Sequence, residues 1–173
     1  MFSIFKIAGA ALIEICFWAL GEYFACRKAL RSDQLTEIRL GIGFFRGDIE
    51  FNLAPAGVSA EKTAERLREP VRSIFKEFSD RLKNGESVEK AWIRALTYNY
   101  DKTYLKAEDI EMLYPFGKIT EYLDIEKQDK GIELLVSYIE SKVKELNANF
   151  SETRRFCRSA SVLTGLLAVV ILL

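Results

Sequence analysis

The stretch PVRSIFKEFSDRLKNG, residues 70–85, decides how this chain is read. Its apolar residues Val71, Ile74, Phe75, Phe78 and Leu82 fall at steps of 0, 3, 4, 7 and 11, the spacing of an α-helix with one buried face. Pro70 suits a first helical position, where its missing N–H has no intrahelical partner to lose. Asn84-Gly85 reads as a stop, because glycine takes the left-handed conformation that ends helices.

The same period continues on both sides. Ser87 is placed as the N-cap of a helix that presents Val88, Ala91, Trp92, Ala95 and Leu96 on one face. A third helix starts near Lys106, with Ile110, Leu113, Tyr114 and Gly117 inward, and Pro115 is expected to kink or shorten it. Asp124 is the expected N-cap of a long last helix, striped by Ile132, Leu135, Val136, Ile139, Val143 and Leu146. Upstream, 34–53 and 59–68 show no strand alternation, and Pro55-Ala-Gly57 is the clearest break between helices. The fold class is therefore all-α, an antiparallel bundle of about six helices.

Charge is segregated along the chain. Of 25 basic and 25 acidic residues, only Lys6, Glu14 and Glu22 lie in 1–26, and none lies in 159–173. Residues 2–24 are mostly apolar and aromatic, and about 20 such residues cross a bilayer. The closing apolar run is shorter, about 22 Å of helix against about 30 Å of hydrocarbon; bilayer thinning or snorkelling by Arg158 covers the difference. Arg27, Lys28 and Arg31 follow the first run, and Arg154, Arg155 and Arg158 precede the second. The positive-inside rule then puts the middle in the cytoplasm and both termini on the far side. The expected domains are an N-terminal transmembrane helix (1–26), a cytoplasmic bundle (27–158) and a C-terminal transmembrane anchor (159–173).

Glu14 is the awkward residue of the first span. Either it is neutralised or paired inside a helix bundle, or the span slides to bring it near an interface. Glu14 and Glu22 are the candidate partner-binding residues, each able to bond to a neighbouring span. A rival reading takes YFAC, ending at Cys26, as a cleavage box and makes the chain an extracytoplasmic lipoprotein-type adaptor. Tyr23 in place of an aliphatic residue, the interrupting Glu14 and Glu22 and a single basic residue before the apolar run argue against it.

Catalytic and ligand-binding signals are sparse. Histidine is absent and the three cysteines form no C-x-x-C pair, so no usual zinc set and no disulfide framework is expected. GIGFFRG (41–47) departs from G-x-G-x-x-G by one place and follows no strand, so no nucleotide cofactor is expected. Gly43 and Gly47 are instead four apart, a spacing that permits close helix approach. Arg46-Gly47-Asp48 reads as a coincidental tripeptide. Glu108, Asp109 and Glu111 form an acidic cluster near a helix start; a membrane-tethered enzyme would use it for acid–base work, and the ordinary reading is a solvated face. Balanced charge marks no nucleic-acid stripe. The chain is expected not to be an enzyme and to hold no metal.

Longer patterns carry a resemblance. They are LGEYF (20–24), Arg31 and Arg39 spaced as R-x(7)-R, PVRSIFKEFSDRLKNGESVEKAW (70–92) and EDIEMLYPFGKITEYLDIEKQDKGIEL (108–134). The most specific pieces are Phe78, Leu82 and Gly85 in F-x-x-x-L-x-x-G, then Ala91-Trp92, Phe116-Gly117, Asp124 and Gln128. Over essentially the whole chain the sequence resembles the stage III sporulation protein AB family of endospore-forming bacteria. It departs at FFRGDI (44–49), where Gly47 is expected to loosen the helix, and at Tyr122-Leu123. The resemblance implies a membrane component of the channel between mother cell and forespore. It also implies a bundle like the helical domain of inner-membrane platform proteins (GspF) of type II secretion and type IV pilus machines. The implied partners are the stage III sporulation AA-type ATPase, docked from the mother-cell cytoplasm, and the other membrane subunits of the channel.

Overall fold

A helix with one apolar stripe must bury it against another, and the computed structural model of the chain is built on that constraint throughout. The structure describes the backbone of residues 2–121 and 125–172, with side chains throughout 26–121 and 126–148 and at scattered positions elsewhere. The helices are α1 (Phe2–Asn52), α2 (Ala56–Arg66), α3 (Val71–Lys83), α4 (Val88–Asn99), α5 (Ala107–Leu113), α6 (Pro115–Ile119) and α7 (Ile125–Leu172), with a 3-10 turn at Tyr100–Lys102. No strand occurs among the described residues. The chain divides into two compact units, 31–143 and a second made of 1–30 with 144–173. The first is narrower at both ends than the 27–158 drawn from the charge boundary.

In the 31–143 unit the core is aromatic. The Trp92 ring centroid lies 4.8 Å from Phe116, 5.2 Å from Phe78 and 5.4 Å from Phe75, and Phe45 meets Phe78 at 5.6 Å and Phe116 at 5.5 Å. These five side chains are fully buried and come from α1, α3, α4 and α6. Burying each contributes on the order of 2–3 kcal/mol. Trp92 Nε1 donates at 2.8 Å to the carbonyl of Leu113, which satisfies one of the open acceptors at the end of α5.

The expected caps hold in position. Gly85 has φ +84, its N–H reaches Leu82 O at 3.0 Å, and the Glu86 N–H reaches Arg81 O at 3.1 Å, the paired bonds of a Schellman end. Ser87 is the N-cap of α4, although its side chain makes no capping bond. Pro70 sits one place before the helix, at the N-cap of α3. Pro115 shortens the third helix to Ala107–Leu113 and starts a new one at its own position. The break near Pro55 falls at Leu53–Pro55, with Ala56 and Gly57 already inside α2. Asp124 and the Tyr122-Leu123 departure lie outside the described residues.

Two glycine readings are corrected. Gly47 does not loosen its helix, for α1 runs on to Asn52. Gly43 and Gly47 are not close-approach positions, since a Cβ at either would meet no atom within 4 Å. The tight positions are Gly41, packed on Phe75 and Leu67, Gly131, packed on Ile119, and Gly117, where an added Cβ would stand 2.8 Å from the Glu89 backbone.

The 1–30 and 144–173 unit is helical where its backbone is described, with the Arg27 guanidinium 5.8 Å from the Tyr23 ring centroid. Among the described residues no helix is long and apolar enough to cross a membrane. Most side chains of the expected spans, 1–26 and 159–173, lie outside the described set.

Gly117→Ala should lower stability by about 1–3 kcal/mol, because the opposing atom is backbone and cannot swing aside. Gly43→Ala, in open space on a helix, should raise it by about 0.5–1 kcal/mol. Chemical denaturation followed by circular dichroism measures both, and equal effects would contradict the packing described.

Candidate functional site

Within the 31–143 unit, α1 is the strut on which the other elements hang. Leu35, Ile38, Ile42 and Phe45 give it a fully buried apolar stripe. Beside that stripe it buries polar residues, and Arg31, Gln34 and Glu37 among them each fasten a different segment. Arg31 is the deepest cation. Its Nε and Nη2 donate at 2.7 Å to the two carboxylate oxygens of Asp109, and Nη2 also donates to Glu108. Glu108 lies 3.6 Å from Lys142 Nζ on α7. Asp109 also accepts the Lys106 N–H at 2.8 Å, which caps α5. Gln34 accepts the Tyr104 N–H at 2.8 Å. Glu37 accepts both the backbone N–H and the Nη2 of Arg68 at 2.9 Å. Farther along, Arg39 pairs with Glu140 at 2.6 Å and Arg46 with Asp129 at 2.7 Å, so a ladder of charge pairs ties α1 to α7.

The acidic cluster is thus no solvated face as a whole. Asp109 is buried and consumed in a forked ion pair, Glu108 is exposed but bridges Arg31 to Lys142, and Glu111 is exposed. Burial works against the charge of Arg31, but its bonds to Asp109 and Glu108 leave its pKa raised. The Arg31 hydrogen bond and the Lys142 charge hold the Glu108 carboxyl below its usual range. Burial pushes Glu37 upward, yet the two bonds and the charge of Arg68 outweigh it and leave Glu37 lowered. Arg31, which follows the first apolar run in sequence, has its side chain turned into the bundle, so Arg27 and Lys28 are the flanking cations left there.

The two ends of this unit differ in kind. One end is the Arg31–Asp109–Glu108–Lys142 clamp, through which the chain passes to residues 30 and 144. About 30 Å farther along α1 lies the other. There Phe51 and Leu53 stand 80% and 86% exposed. Leu53 holds φ at +49°, a left-handed conformation that disfavours a branched side chain by roughly 1–2 kcal/mol. Next to it opens a cavity of about 200 Å³ lined by apolar Phe45, Ile49, Leu53 and Ile132 together with Arg46, Glu50, Thr120, Gln128 and Asp129. Exposed apolar side chains thus stand beside an open recess. Phe51 and Leu53 fall off the core stripe just before the break at Pro55. That is the signal by which the sequence could have exposed them.

Of the residues singled out for partner binding, Glu22 is half-exposed on α1, while the side chain of Glu14, eight residues earlier, lies outside the described set. No group of His, Cys, Asp or Glu able to hold a metal ion occurs among the described residues.

Three comparisons bear on this architecture. The family model described as stage III sporulation protein AB matches residues 6–173. Stage III sporulation protein AB of Bacillus subtilis (strain 168) is 26% identical over 169 residues, which is 97% of this chain and 99% of that protein. A solved structure of stage III sporulation protein AB matches with a TM-score of 0.66 at 26% identity, over 70% of this chain and 96% of its own.

Arg31→Met strands Asp109 in the interior and should lower stability by about 3–5 kcal/mol in urea denaturation; a loss below about 1 kcal/mol would contradict the clamp. The lowered carboxyls of Glu37 and Glu108 contribute stability that is complete above the ordinary carboxylate range. It is lost as pH falls below that range through their lowered values. Glu37→Gln should shrink this acid-side loss, and a pH profile of stability identical to wild type would refute the assignment.

Proposed function

The chain belongs to the stage III sporulation protein AB family, and from that premise we propose that it is a membrane-anchored, non-enzymatic platform subunit of the mother cell–forespore channel. The two apolar extremities, 1–26 and 159–173, anchor it in the mother-cell membrane facing the forespore. The bundle between them lies in the cytoplasm and both termini lie on the far side. The basic residues flanking each apolar run support that orientation. Exposed Ile15 and Leu163 within those runs suit a lipid surround. Glu14 and Glu22 meet neighbouring spans of the channel's other membrane subunits.

The bundle docks the stage III sporulation AA-type ATPase to the envelope complex. The observation that carries this is the tip at Phe51 and Leu53, an exposed apolar pair at the end of the bundle remote from both chain exits. Strain held at an exposed apolar residue favours a binding role over a folding role. Two of the three acidic residues that an enzyme would need free, Glu108 and Asp109, are engaged in structural ion pairs.

Leu53→Gly separates the two roles. It should keep or raise stability by about 1 kcal/mol, since glycine accepts the positive φ, while weakening co-purification with the ATPase. Phe51→Ser should weaken it as well. Undiminished ATPase capture by the double variant would overturn the proposal.

A further inference from the structure

The opposite end of the bundle carries a surface of different chemistry. The stretch TYNYDKTYLK (97–106) spans the last turn of α4 and the connection to α5, and it exposes Tyr98 at 63%, Tyr100 at 37% and Tyr104 at 40%. It is not a slack loop. The 3-10 turn closes with the Thr103 N–H and hydroxyl both donating to Tyr100 O, at 2.9 and 2.8 Å, and Leu105 is buried beneath. The fold therefore holds the tyrosine rings out. Lys102 Nζ lies 5.0 Å from the Tyr98 ring centroid, an arrangement in which ring and cation share one exposed patch.

The location is fixed by three bonds within the unit. The Tyr104 N–H is held by Gln34, Asp109 by Arg31, and Glu108 by Lys142. The segment thus sits at the end where the chain leaves for residues 30 and 144. Eight residues of chain, roughly 12 Å at a helical rise, separate Gln34 from Cys26, the last residue of the first apolar run.

Tyrosine with lysine is the pairing of a membrane–water boundary. The ring belongs among lipid headgroups, its hydroxyl stays wet, and a lysine meets anionic lipid. The tip at Phe51 and Leu53 carries no tyrosine and no lysine. We propose that the loop 98–106 is a lipid-contacting surface, in which Tyr98, Tyr100, Tyr104 and Lys102 seat the base of the bundle on an anionic bilayer face. The inference rests on the anchored reading above. It adds to the two anchors a lipid contact made by the bundle itself.

The test uses the full chain with Cys16, Cys26 and Cys157 replaced by Ser, reconstituted into phosphatidylcholine vesicles containing phosphatidylglycerol. An environment-sensitive fluorophore is placed at Asp101→Cys or, as the remote control, at Phe51→Cys. The expected result is a blue shift at position 101 and loss of its emission to headgroup-level quencher lipids, with neither at position 51. A chain that floats with the vesicles but leaves 101 as unquenched as 51 overturns this inference alone. A chain that does not float with the vesicles overturns the anchored reading and this inference together. Equal quenching at 101 in vesicles of phosphatidylcholine alone overturns the claim that the surface is anionic, and Lys102→Glu should reduce the quenching only where phosphatidylglycerol is present.

Discussion

A guanidinium buried among apolar helices is stable only with its carboxylate beside it, and the bundle depends on that constraint at Arg31 and Asp109. The pair joins residues 78 apart in sequence, and the same carboxylate caps α5. Removing either partner leaves a charge that the interior cannot solvate. Because Glu108 extends the clamp to Lys142, the pair also fixes where the first and last helices of the unit come together. The polarity of the 31–143 unit follows: one end is the closed, charge-satisfied base where the chain passes out, and the other is free to differ.

The interior between these ends is ordinary in chemistry and specific in shape. Edge-on contacts around Trp92 lock α3, α4 and α6 onto Phe45 of α1, and the indole N–H takes up a helix-end carbonyl that would otherwise be buried without a donor. Such a core leaves little freedom at α1. A rigid α1 holds Phe51 and Leu53 in the open, where a flexible corner would fold them back on the apolar recess. On the proposed reading, rigidity is the property a platform contributes: it transmits position between a membrane and a partner without chemistry of its own.

Much of this was legible in the sequence wherever burial is a local, periodic matter. Val71 to Phe78 and Ala91 to Leu96 lie inward as their spacing requires, as do Ile132, Leu135 and Ile139 on α7, while Leu82, Val88, Val136 and Val143 are only half-buried because a stripe's edge meets solvent. Gly85 and Ser87 took their cap positions because backbone geometry is set by adjacent residues. What spacing could not reveal is pairing at long range. Nothing in EDIE (108–111) says that its second residue is buried and its fourth exposed, since that depends on Arg31. Likewise period alone could not tell Gly41, pressed on Phe75, from Gly43, which faces open space two residues later. The exposed pair Phe51 and Leu53 escaped because apolar residues at a helix end look like the frayed end of a stripe.

The central claim is a division of solvents, with lipid at the two extremities and cytoplasm around the bundle. It is tested most directly by alkaline phosphatase, which is active only outside the cytoplasm, fused after Leu173 in one protein and inserted at the exposed Asn84-Gly85 turn in another. The account predicts an active enzyme at the terminus and an inactive one at the turn. Activity at the turn, or none at the terminus with the fusion intact, would contradict it.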